Sequence, residues 1–296
     1  VLSPRGPYRF FATVHEQRAG LHDPACRVAE RTLWRTAWHP EGPATLRAHL
    51  EAPDRLVVET WGPGAEAALE SAPGVLGLDD DPSAFQPQHE GVARLLRKTP
   101  GVHLTRVPDL LRVLVQVILQ QRVTWQEAVR SWCGLLRQYG APAPGPEPEL
   151  RLCPEPQVLA QLPLHAYAAL GVEGRRAKAV VEVAIVHRRI AELASMSYAD
   201  AAARLLAIPG VGPWTAGMTL GHGLGDPDAV VPGDAGLPQL VTWAFTGRPV
   251  KDDAAMLELL EPFRPHRFRV VRLLHESGLK APRTAPGRRL GPLPGR

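Results

Sequence analysis

The stretch Ile208–Leu237, IPGVGPWTAGMTLGHGLGDPDAVVPGDAGL, joins two helical segments through Ile-Pro-Gly-Val-Gly. Glycines at 210 and 212 permit a backbone turn that other residues resist, and such a turn aims bare N–H groups outward. A helix opening at Pro213 adds its own unpaired N–H groups and the positive end of its dipole, so the hairpin is a cradle for a phosphate oxygen. Twenty residues beyond Trp214, the run Val-Val-Pro-Gly-Asp sets Asp234 just past a short apolar segment. A phosphate clamp and a carboxylate at fixed separation point to chemistry on nucleic acid.

Outward from the turn, Ser197 to Leu206 reads as the first hairpin helix, with Ser197 as N-cap and Asp200 three residues on. The second runs from Pro213 to about His222, proline suiting the first helical position because its N–H would be unpaired anyway. The run Leu206–Ala216, LAIPGVGPWTA, followed by Val231-Pro232-Gly233-Asp234, resembles the helix-hairpin-helix glycosylases that carry a Gly/Pro-rich loop and a catalytic aspartate. Glycines alone would carry little, since most such turns only join helices. Hairpin and aspartate together carry the resemblance.

The resemblance implies that Asp234 is the catalytic residue, that Trp214 and Met218 line a base pocket, and that Gly210, Val211, Gly212 and Thr215 contact DNA. Trp214 stands where lyase-competent relatives have the lysine that forms a Schiff base, so water is the expected nucleophile and an uncut abasic site the expected product. Cleaving an N-glycosidic bond develops positive charge on the sugar, which an anion near C1′ stabilises. Asp226 and Asp228, in Gly-Asp-Pro-Asp, read as turn formers. No acidic partner is required when the leaving base is already cationic, as an N-alkylated purine is.

At 296 residues the chain is long enough for two or three units, and no apolar run approaches the ~18 residues that span a bilayer. Val1-Leu2-Ser3-Pro4-Arg5 has no signal-peptide core, so a soluble, cytoplasmic protein is expected. Cys26, Cys133 and Cys153 form no Cys-x-x-Cys pair, which gives no sign of a disulfide framework or a metal site. Relatives with an iron–sulfur cluster place four cysteines beyond the catalytic aspartate, and here none follows Cys153, so no cofactor is expected. The net charge is +4, but Arg264 to the end holds nine Lys or Arg against Glu276 alone, +8, so residues 1–263 carry −4. That basic end reads as the nucleic-acid face, and residues 283–296 as a disordered tail.

Tyr8–Val14, Thr32–Trp38, Thr45–Leu50 and Leu56–Trp61 read as strands of an antiparallel sheet, split by turn signals at His39–Pro43 and Ala52–Asp54. Gly64–Ser71 reads as a helix and Asp79–Pro82 as a boundary. This arrangement is similar to the small N-terminal sheet domain of bacterial 3-methyladenine DNA glycosylase II, the AlkA-like branch. From Pro108 and Asp109, Leu110, Leu111, Leu114, Val117 and Ile118 make a helical stripe, and Thr124-Trp125-Gln126-Glu127 is a capping box for a helix to Tyr139. In AlkA-like proteins the loop between two such helices lies on DNA and fills the space of an extruded base. Here that implies Gln121 and Arg122, Arg122 replacing an apolar wedge, with a plain solvent-facing arginine as the other reading. Ala141–Pro148 is a stiff connector. Glu173 to Lys178 opens a helix to about Leu193, whose first-turn cations either meet a phosphate or are solvated. Glu261 to His275 resembles the closing helix, with His275 where the family has a second pocket tryptophan.

The expected architecture is α+β: a sheet domain (1–85), a helical domain (86–195), the helix-hairpin-helix region packed against it (196–282), and the tail. The resemblance covers roughly residues 7–280. It implies a monomeric, monofunctional DNA glycosylase, nucleoid-associated through its partner, double-stranded DNA containing a damaged base, and excising N-alkylated purines. A glycosylase of this fold for an oxidised, deaminated or bulky base, or a non-catalytic DNA-binding module, are the alternatives.

Overall fold

A computed structural model describes residues 1–282; the basic tail at 283–296 lies outside the described residues. Four antiparallel strands, β1 (Cys26–Val28), β2 (Thr32–His39), β3 (Gly42–Ala52) and β4 (Arg55–Trp61), form one sheet in sequence order. Leu33, Leu46, Ala48 and Leu56 are buried on its inner side. Trp34 and Trp61 stack 5.5 Å apart, with the Arg47 guanidinium over Trp34. The Pro-rich connector is tied to the sheet rather than free, through the Arg27 ion pairs to Glu147 and Glu149.

One expected strand is a helix. Phe10–Val14 is a single α-helical turn continued by a 3-10 turn over His15–Gln17. Phe10 and Val14, four apart on one helical face, are buried in the core while Phe11 points outward. A short apolar run fits either period, and packing decided for the helix.

Helices make up the rest. Leu110–Leu119 is capped by Asp109, whose carboxylate accepts the Arg112 N–H at 3.2 Å, and it is buried on nearly every side rather than along one stripe. From its first turn the fully buried Arg112 donates to the carbonyls of Thr36 and Gln17, joining helix to sheet. Trp125–Tyr139 begins with the expected capping box. The helix expected to reach about Leu193 ends at Ile185, and a separate short helix, His187–Ala191, follows the non-helical Val186.

The expected boundary at Asp79–Pro82 is a junction. The Asp80 carboxylate is gripped by both Nη atoms of Arg269, at 2.8 and 2.6 Å, and accepts the Leu104 N–H at 3.0 Å. Although burial alone would raise its pKa, these partners hold it well below the carboxylate range. Among the described residues of the basic end, Arg267, Arg269 and Arg272 are buried and paired with Asp228, Asp80 and Glu16, whereas Arg264 and Lys280 are exposed. Reading the buried arginines as a nucleic-acid face is therefore corrected, because each charge is neutralised internally. The three cysteines are buried and free, and no described helix is long and apolar enough to cross a membrane.

Candidate active site

The hairpin is built from Tyr198–Leu206, with Ser197 accepting the Asp200 N–H at 3.1 Å, and Pro213–Thr219, which runs on into a π-turn over Leu220–Leu224. Gly210 has φ +86°, and a Cβ there would lie 2.5 Å from Cβ of Ala179, so only glycine fits. Gly212 differs: its φ is −96° and a Cβ added to it meets nothing within 4 Å. The expectation that both glycines serve the turn is thus corrected, Gly210 serving it and Gly212 keeping one side open. Val211 is buried and its N–H is spent on the Ile208 carbonyl, at 3.0 Å. The N–H groups of Gly210 and Gly212 make no hydrogen bond among the described residues.

The loop after Leu110–Leu119 is fastened to this hairpin. Gln121 Nε2 donates to the Gly210 carbonyl at 3.0 Å and to Oγ1 of Thr215 at 2.9 Å. Thr215 is itself 2% exposed, so its hydroxyl serves the protein, not the surface. Arg122 is exposed with φ +57°, the one non-glycine residue with positive φ among the described residues. Such a conformation costs about 1–2 kcal/mol for an L-residue and persists where the surroundings impose it. Of the cations at the Gly174–Ile185 helix start, Arg176 turns inward to the carbonyls of Leu119 and Gly171, whereas Arg175 and Lys178 are exposed on the same helix as Ala179, which approaches Gly210.

A second close approach places the carboxylate. A Cβ on Gly217 would fall 2.0 Å from the Val230 carbonyl, so glycine lets the segment leading to Asp234 lie directly on the second hairpin helix. Asp234 is then held by three donors: Trp214 Nε1 at 2.9 Å on Oδ2, and the N–H groups of Gly236 and Leu237, both at 2.8 Å, on Oδ1. The last two open the Leu237–Thr246 helix. Asp228, expected as a turn former, instead grips Arg267, with Oδ2 2.6 Å from Nη2; Asp226 does form the turn, accepting the Asp228 N–H.

Asp234 lies on the wall of a cleft of about 520 Å³. Met218 and His275 line it too, whereas Trp214 is half-buried beside Asp234 and is not among the lining residues. His275 is solvent-exposed at the cleft, yet partial loss of solvation lowers its pKa from the usual histidine value, with Glu16 opposing and Arg272 adding to the shift. The cleft also contains residues that sequence reasoning passed over: Glu16, Leu21, Trp125, His222 and Arg272. Trp125 was legible only as the first residue of a capped helix, yet it is 52% exposed at the cleft, as is Leu21 at 75%. Glu16 and Glu276 share Arg272, and His15 faces Glu276 at 3.5 Å, so these ligand-type atoms belong to an ion-pair network.

No family model matches the chain. Over 167 residues, 55% of its length, it is 30% identical to the probable bifunctional transcriptional activator/DNA repair enzyme AlkA of Mycobacterium tuberculosis. The chain spans about a third of that relative, 34% of its length. Among solved structures it superposes on a 3-methyladenine DNA glycosylase from Archaeoglobus fulgidus with TM-score 0.79 at 16% identity, covering 94% of this chain and 98% of that one. It also superposes on the Clostridium acetobutylicum 8-oxoguanine glycosylase/lyase in complex with DNA, with TM-score 0.69 at 13% identity, covering 92% and 93%. In fold the chain is like these two DNA glycosylases, and over the shared 167 residues its sequence is similar to that AlkA relative.

Proposed function

We propose that the protein is a monofunctional DNA glycosylase that extrudes a damaged base, an N-alkylated purine in the first instance, and hydrolyses its N-glycosidic bond. The observation that carries this reading is Asp234: a half-buried carboxylate fixed by three donors on the wall of a base-sized cleft, next to a hairpin with open N–H groups. A module that only bound phosphates would have no use for an oriented anion there.

DNA meets the hairpin at Gly210 and Gly212, with the exposed cations Arg122, Arg175 and Lys178 around it. Gln121 holds the wedge loop to the hairpin, so the arginine that enters the stack and the groups that grip the backbone move as one body. The extruded nucleotide places C1′ near Asp234, where charge at ~4 Å stabilises the developing cation by about 1 kcal/mol in water and about 4 at a protein-like dielectric. Water completes the hydrolysis. Among the described residues no lysine lines the cleft, which supports a product left as an intact strand with an abasic site. The proposed enzyme acts as a monomer on DNA in the cytoplasm.

The experiment is to incubate the protein with duplexes that each carry one lesion and then cleave abasic sites with alkali. Alkali-dependent cleavage at an alkylated purine is the expected result. A glycosylase for oxidised or deaminated bases is the second reading, favoured by the histidines and Glu16 in the cleft. Cleavage at those lesions alone would select it, and none at any lesion would overturn both.

A further inference from the structure

The cleft holds titratable groups that charge stabilisation by Asp234 leaves unused. Oε2 of Glu16 lies 3.1 Å from Nδ1 of His222, and Oε1 is paired with Arg272. Arg272 is fixed in turn, donating through Nη2 to the Ala12 carbonyl at 2.8 Å. The His222 ring stands edge-on against Phe268, centroids 5.1 Å apart at 85°. Its Nε2 makes no hydrogen bond among the described residues, and the ring lines the cleft that Asp234 lines. A carboxylate beside Nδ1 orients the ring, and in the imidazolium the second N–H is on Nε2.

We propose that His222 is a catalytic proton donor to the departing base, positioned by Glu16, and that it extends the substrate range to damaged bases that are neutral before release. The inference rests on the glycosylase reading above. A cationic alkylpurine leaves as a neutral molecule, whereas a neutral base leaves as an anion unless a proton reaches it. In the proposed step the C1′–N bond breaks with its electron pair passing to the base, and the Nε2 proton of His222 moves to the base. Water bonds to C1′ and gives up a proton through Asp234 to solvent, from which the imidazole is reprotonated.

The groups facing His222 fit this role. Glu16, from the His15–Gln17 turn, stands 3.1 Å from Nδ1, and Arg272 and His275, from the closing helix, are the other charged or titratable groups on this side of the cleft. His15 and Glu276 face each other at 3.5 Å, and Glu276 also pairs with Arg272.

The test is single-turnover release of two neutral bases, hypoxanthine and 8-oxoguanine, and one cationic base, 7-methylguanine, from otherwise identical duplexes. Wild type should release at least one neutral base, and His222→Gln should slow that release by about 10²-fold or more. Release of 7-methylguanine should fall far less, so that the ratio between the classes shifts by at least about tenfold. Glu16→Gln should move the high-pH limb of the neutral-base profile to lower pH, which a purely structural loss would not do; this readout decides alone if His222→Gln does not fold. The proposal is overturned by an equal loss for both classes, by an unmoved pH limb, or by a wild type that releases only 7-methylguanine. Release of no base at all would sink the glycosylase reading itself, a distinguishable result.

Discussion

Gly210→Ala and Gly212→Ala change adjacent parts of one hairpin in the same way, and the structure gives them opposite consequences. At Gly210 the new methyl carbon would sit 2.5 Å from Cβ of Ala179 in a backbone with φ +86°. The left-handed conformation costs about 1–2 kcal/mol with a side chain, and overpacking of this kind adds about 1–3 kcal/mol. Part of that is relieved by the loop moving, so a loss of about 2–4 kcal/mol is expected, read as a lower urea midpoint at constant slope. At Gly212 the φ of −96° suits alanine and the methyl meets no protein atom. Stability should stay level or rise by about 0.4–1 kcal/mol, since alanine restricts the unfolded chain. The methyl instead occupies the open side where a phosphate would approach the N–H groups. Losing one charge-assisted contact of about 1.5–3 kcal/mol corresponds to roughly 10- to 100-fold weaker binding. Fluorescence anisotropy on damaged and undamaged duplexes should show that loss for both alike, because a backbone contact reads no sequence. A folded Gly212→Ala protein with wild-type affinity would refute the phosphate cradle, and an undiminished urea midpoint for Gly210→Ala would refute the packing argument.

Other expectations follow from single contacts. Borohydride should trap no covalent protein–DNA adduct with the preferred lesion and no nick should precede alkali, Trp214 having no amine; a lesion-dependent trapped band would contradict this. Asp80→Asn leaves the buried Arg269 without its anion and should destabilise the fold by about 3–5 kcal/mol. Because the folded-state pKa of Asp80 is depressed, its contribution is present above the unfolded value near ~3.9 and is lost as pH falls. The gap between wild type and Asp80→Asn should therefore narrow on acidification below that value, and a gap independent of pH would refute the ion-pair account. Arg122→Gly relieves a strained φ of +57° but frees the unfolded chain, so stability should be unchanged or higher by about 1 kcal/mol while base release slows. A marked destabilisation would show that the loop does not impose the strain.

What the sequence disclosed was local chemistry. Asp109, Thr124 with Glu127, and Ser197 each sit next to the N–H groups that they cap, so their helices were readable from neighbours a few residues away. The hairpin and its spacing to Asp234 were readable for the same reason, and three of the four expected strands appear with boundaries shifted by a few residues. What long-range packing decides was hidden. Phe10–Val14 has an apolar run too short to fix its period, and it became helical where Phe10 and Val14 meet the core. The cationic cluster after Arg264 looked like a surface because its partners Asp80, Asp228 and Glu16 lie dozens to hundreds of positions away. The same separation hid Glu16, Trp125 and His222, which share a cleft only in the folded chain.

The most direct test of the central claim is Asp234→Asn, measured for single-turnover base release and for affinity toward the same lesion duplex. The substitution keeps an amide oxygen able to accept from Trp214 or from the Gly236 and Leu237 N–H groups and removes the charge. The account predicts release slowed on the order of 10²-fold or more, with DNA affinity equal or higher, since an anion has been removed from a surface that meets a polyanion. Release near the wild-type rate by the folded variant would contradict it.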